Sequence, residues 1–114
     1  MYFYLRDYAY GTYQEFSPDS TNAISFDSTN LSPIVGNFSG MKAQVISARL
    51  ETANIRYRLD GQDPTTTVGI LMKADEIIVI QGYGNIANLR FIAVSGNPKL
   101  HVHFGFGGSS SKPA

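Results

Sequence analysis

Two short stretches in which apolar and polar residues strictly alternate constrain this chain more than anything else in it. In Asn54-Ile55-Arg56-Tyr57-Arg58-Leu59, the residues Ile55, Tyr57 and Leu59 share one face, and Arg56 and Arg58 share the other. In Lys99-Leu100-His101-Val102-His103-Phe104, the apolar set is Leu100, Val102 and Phe104, and the polar set is Lys99, His101 and His103. A period of two belongs to a β-strand with one buried face and one wet face. No stretch sustains the i, i+3, i+4, i+7 spacing of an amphipathic helix. The run Glu76-Ile77-Ile78-Val79-Ile80-Gln81 is continuously apolar at its centre, which predicts a strand covered on both faces. Residues 43–50 and 89–94 complete the strong strands, and 23–26, 31–35 and 70–72 are weaker ones.

Turn chemistry separates these runs. Asp60-Gly61-Gln62-Asp63-Pro64 follows one strand, Gly82-Tyr83-Gly84-Asn85 another, and Ser95-Gly96-Asn97-Pro98 a third. Glycine reaches positive φ, proline holds φ near about −65°, and Asn or Asp can bond its own backbone. Short strands punctuated in this way predict an all-β fold, a two-sheet antiparallel sandwich of jelly-roll type with an extended N-terminal arm. The expected organisation is an aromatic arm or edge segment over 1–22, a sandwich domain over 23–106 and a flexible tail over 107–114.

The chain has 114 residues and no formal net charge, with nine basic and nine acidic side chains. A protein held on nucleic acid by phosphate contacts needs a basic face, so no nucleic-acid partner is expected. Charged residues make up 16%, against about 25% in typical soluble domains, and a charge-poor surface favours association. A homo-oligomer is therefore expected. There is no cysteine, which removes disulfides, thiol chemistry and thiolate metal sites. No apolar run approaches the roughly 18 residues of a membrane span, so no membrane partner is expected. The opening Met1-Tyr2-Phe3-Tyr4-Leu5-Arg6-Asp7 lacks the basic and apolar regions of a secretion signal.

Candidate sites are few. Asp60 and Asp63 are close enough in sequence to suggest a calcium loop, but the twelfth position counted from Asp60 is Leu71, where an EF-hand needs Glu. The expectation is a structural turn in which Asp63 caps the following NH groups. His101 and His103 share a strand face and could reach one metal, as the paired histidines of cupins do. No third histidine exists to complete such a set, so no metal or cofactor is assigned. No G-x-S-x-G elbow and no evident carboxylate pair supports a hydrolase, and the glycine-rich segments at 82–84 and 105–107 open no predicted helix. No catalytic residue is assigned.

The aromatic N-terminus stands apart from the rest. Five of the seven tyrosines, Tyr2, Tyr4, Tyr8, Tyr10 and Tyr13, precede residue 14, and Phe16 follows. Tyrosine combines a flat apolar ring with a polar tip and is enriched at interfaces. These six residues are the expected partner contacts.

From residue 43 to residue 104 the chain resembles small virion proteins of tailed bacteriophages. The resemblance rests on Ala48-Arg49-Leu50-Glu51-Thr52-Ala53-Asn54-Ile55-Arg56-Tyr57-Arg58-Leu59-Asp60-Gly61 with Asp63-Pro64-Thr65 behind it. Val68-Gly69-Ile70-Leu71-Met72, the run Ile77 to Ile80, Leu89-Arg90-Phe91-Ile92-Ala93-Val94 and a final strand extend it. A similar Asp-Gly-x-Asp-Pro-Thr element occurs in small β-sandwich modules of bacterial glycosidases. Aromatic side chains and Asn/Asp loops, which suit sugars, make a carbohydrate-binding module or a receptor-binding tail or neck component the alternative, and the His101/His103 pair makes a cupin-like metal protein the second alternative. The resemblance implies a jelly-roll-like capsid decoration (cement) protein. Such a protein is made in the host cytoplasm, sits on the virion surface, and has the major capsid protein or other virion subunits as partners.

Overall fold

A computed structural model describes residues 7–108, with side chains from 9 to 107. It contains eight strands and two short helices. The strands are β1 (Asp7–Phe16), β2 (Ile24–Ser25), β3 (Val45–Glu51), β4 (Ile55–Arg58), β5 (Ile70–Met72), β6 (Ile77–Gln81), β7 (Arg90–Ala93) and β8 (Lys99–Gly108). The helices are α1 (Ser28–Leu31) and α2 (Tyr83–Asn88). All pairing is antiparallel, in two four-stranded sheets of order β1-β8-β3-β6 and β2-β7-β4-β5. Of the sequential connections, only β4–β5 stays within one sheet as a hairpin between neighbours, and the rest cross between sheets. This interleaving of two Greek keys is the jelly-roll order.

Alternation builds the core as the sequence requires. Ile46, Ala48 and Leu50 of β3, Leu100, Val102, Phe104 and Phe106 of β8, and Phe91 of β7 are buried between the sheets. Phe26 joins Phe91 and Phe104 in an aromatic centre, with ring centroids 5.8 and 4.9 Å away. Between the sheets remains a space of only about 10 Å³, lined by apolar side chains such as Ile46, Ile55 and Leu100. That is about the least a single water needs.

Three sequence expectations are corrected. The strand expected at 31–35 is absent. Asp27 accepts the Asn30 amide at 2.9 Å while Asn30 Oδ1 accepts the Asp27 amide at 3.1 Å, a capping box that starts α1 instead. Ile34 and Val35 then lie exposed on a loop. The turn expected at 82–85 opens α2, which Gly82 introduces at φ 97° and buried Ile86 anchors. β6 is covered on one face only: it is the edge of its sheet, and Ile77 and Val79 are 65% and 54% exposed.

At the two ends the strands run further than the 23–106 sandwich expected from the sequence. Residues 7–16 are an edge strand of the domain, bonded along β8. β8 itself continues to Gly108, two residues into the expected tail.

Candidate interaction face

The outer face of the β1-β8-β3-β6 sheet carries the side chains that alternation turns away from the core. A bulge at Gly11 decides which tyrosines are among them. The β1–β8 register shifts between Tyr10 and Thr12, so Tyr10 pairs with Gly105 and Tyr13 with His103. Residues three apart would otherwise point to opposite faces; one extra residue puts both rings on the same side. Phe38 explains why the extra residue is glycine. Its ring occupies the space a Cβ on Gly11 would need, and it stacks on Phe106 at 4.9 Å.

Tyr10 lies over Gly105, where an added Cβ would come within 3.2 Å of the tyrosine ring and would collide with Val45. Val45 also points outward by alternation, yet it is buried. Tyr13 sits between the two histidines, with ring centroids 5.9 Å from His101 and 5.1 Å from His103. His101 Nε2 lies 2.9 Å from Glu51 Oε1, and its Nδ1 is hydrogen-bonded to the Tyr13 hydroxyl. A carboxylate only accepts, so Nε2 carries the proton, and in the neutral ring Nδ1 accepts from Tyr13. Glu15 Oε1 stands 4.0 Å from Nδ1. The hydrogen bond from His101, and then its charge, hold the Glu51 carboxyl below its ordinary value. Ser47, Arg49, Val79 and Ile77 continue this face toward β6.

The expected contacts divide. Tyr2 and Tyr4 lie outside the described residues, and for Tyr8 only the backbone, paired with Gly107, is described. Tyr10 and Tyr13 stand on the outer face and are 50% and 51% exposed. Phe16 points the other way. It is 8% exposed and packs on Phe26 and Phe91 at 5.1 and 5.9 Å, so its ring belongs to the domain's own core. Glu15 and Glu51 were not legible as neighbours of His101, because they come from strands that only the sheet order sets beside β8.

The other face of the sandwich is partly covered. Residues 59–69 fold back on it, where Arg56 donates to the carbonyls of Thr66 and Gly69 at 3.1 and 2.9 Å. Within that loop Asp60 accepts from Arg58 Nε at 3.0 Å and from the Gln62 amide. Asp63 pairs with Arg90 at 2.8 Å rather than capping the chain, and the cap falls to Thr65, which accepts the amides of Thr67 and Val68. Both carboxylates are thus engaged by guanidinium groups. Among the described residues, no group of three or more His, Asp or Glu side chains is placed to hold a metal. No helix among them is long and apolar enough to cross a membrane. No family model, curated protein or solved structure matches the chain.

Proposed function

We propose that this chain is a structural virion protein, a capsid decoration or cement protein that binds the phage head through the outer face of its β1-β8-β3-β6 sheet. The observation that carries this reading is the contrast between interior and surface. The interior is filled by side chains, while one sheet face presents Tyr10, Tyr13, His103, Val79 and Ile77 in the open. Tyrosine and apolar side chains on a flat sheet are suited to removal from water against another subunit, at roughly 25 cal/mol per Å² of apolar area, less the cost of ordering. Many symmetry-related copies on a shell would add avidity to a weak single contact.

The test is occupancy on purified shells. A Tyr10→Ser/Tyr13→Ser double variant should keep its fold and bind shells about tenfold or more weaker than the natural protein. Equal occupancy of the folded variant would remove this face from the assembly. The alternative reading, a carbohydrate-binding or receptor-binding tail or neck part, draws on Tyr10 and Tyr13 beside the Glu15 carboxylate, an aromatic and acceptor pairing suited to a sugar ring. A specific signal on a glycan array, lost in the same variant, would favour it.

A further inference from the structure

We infer that β6 is a self-pairing edge, through which two copies of this chain join their β1-β8-β3-β6 sheets into one continuous antiparallel sheet. This does not depend on the proposed virion role.

The four sheet edges are not equally guarded. β2 has two residues and β5 three, too short to template much pairing. β1 is bulged at Gly11, and along it the Gln14 side chain is held by Asn30 at 2.7 Å. A bulge and a covered flank are standard protections of an edge. β6 has neither. Its five residues, Ile77-Ile78-Val79-Ile80-Gln81, contain no charge, no proline and no glycine, and run in unbroken register against β3.

The register fixes which backbone groups are spare. Leu50 donates to the Glu76 carbonyl at 3.0 Å and Gly82 to the Gln44 carbonyl at 2.7 Å. Hydrogen-bonded pairs therefore fall at every second residue between them, and Ile78 and Ile80 face β3. The NH and carbonyl groups of Ile77 and Val79 face outward along the edge. The Gln81 carbonyl on that edge already accepts from Asn85 at 2.9 Å. A two-fold axis at Ile78 would pair Ile77 of each copy with Val79 of the other. The four outward groups of Ile77 and Val79 on each strand would then be used, and the Gln81 carbonyl would be left as it is. An isologous contact of this kind closes on itself as a dimer.

Side chains and charge fit the same occupant. Ile77 and Val79, both exposed on the outer face, would sit directly opposite each other across the new pair. On the inner side, the cleft lined by Tyr57, Leu71, Met72, Ile77 and Ile78, with Glu76 at its rim, opens along this edge, where the second Ile78 would close it. The uncharged centre gives two copies no like-charge repulsion. Asp75 and Glu76 stand at one end of β6, and Lys42, 5.0 Å over the Tyr83 ring, stands at the other. Antiparallel pairing sets Glu76 of each copy toward the other copy's Lys42, while Asp75 keeps its own Arg49 at 3.6 Å. A five-residue edge buries less than the roughly 1,200 Å² of a standard interface, so the dimer should be weak.

Sedimentation of the full chain over a micromolar dilution series should show a monomer–dimer equilibrium. Val79→Pro deletes an edge-facing NH that β3 does not use, so the fold should survive while self-association weakens about tenfold or more. Ile77→Lys should do the same without touching the backbone. Hydrogen exchange should show the Ile77 and Val79 amides protected at high concentration and fast on dilution. A natural chain that stays monomeric throughout the series, or a dimer in which those two amides exchange freely, would overturn the inference. So would dimerisation unaffected by either substitution in folded protein.

Discussion

The ring of Phe38 fills the place where Gly11 has no Cβ, and this contact, with the Asn30–Gln14 hydrogen bond, ties the β2–β3 connection to the edge strand β1. It holds the bulge that brings Tyr10 and Tyr13 to the same face. Gly11→Ala should force Phe38 off its stack with Phe106 and cost about 1–3 kcal/mol, as overpacking does. Chemical denaturation would measure the loss. If adding Phe38→Ala made the Gly11→Ala change nearly neutral, the clash would be located at that ring.

The turn from β3 into β4 stores strain. Ala53 donates to the Glu51 carbonyl at 2.9 Å across Thr52, whose φ is 82°. This is a three-residue γ-turn with a β-branched residue where only glycine sits easily. Thr52→Gly should therefore stabilise the fold by about 1 kcal/mol, read as a higher denaturation midpoint. A lower midpoint would show that Thr52 makes a compensating contribution.

Arg56 anchors the loop that covers the outer face of the second sheet. Arg56→Ala removes both hydrogen bonds to the Thr66 and Gly69 carbonyls and should cost about 1.5–3 kcal/mol. Lysine should not restore the lost stability, because one ammonium cannot reproduce the planar fork that reaches two carbonyls. Amide exchange across residues 65–69 should quicken in both variants.

The Glu51–His101 pair gives a prediction with a definite sign. Because the folded protein holds the Glu51 carboxyl below 4.5, this group's contribution to stability is present above its unfolded value. The contribution is lost as pH falls through the lower folded value. In His101→Ala the Glu51 titration, followed by carboxyl carbon NMR, should move up toward the ordinary value. An unchanged midpoint would mean that His101 is not the cause.

Phe91 of β7 packs on two rings from the N-terminal quarter of the chain, Phe16 from β1 and Phe26 after β2. Phe91→Ala should cost about 3–5 kcal/mol by leaving a cavity between the sheets. Equilibrium unfolding should show a larger loss for this variant than for the Gly11 or Arg56 substitutions.

In the residues alone, the strands are visible wherever side chains are written for two different faces. Ile55/Arg56/Tyr57/Arg58 and Leu100/His101/Val102/His103 declare their own orientation, since alternation is a local property of the chain. The all-β sandwich and the outward placement of both histidines follow from it. What alternation does not encode is who the neighbours are. Glu15 and Glu51 reach His101 only because β8 is inserted between β1 and β3. Phe16 is core rather than contact because the Gly11 bulge resets the phase of the strand. The apolar run of β6 reads as doubly buried, but its position at the sheet edge leaves Ile77 and Val79 in water. The turn at Thr52 carries no glycine or proline to announce it, and the short helix α2 hangs on a single buried residue, Ile86. Each of these was decided by long-range pairing, in which the gain from closing the two sheets around one core outweighs what any local segment prefers.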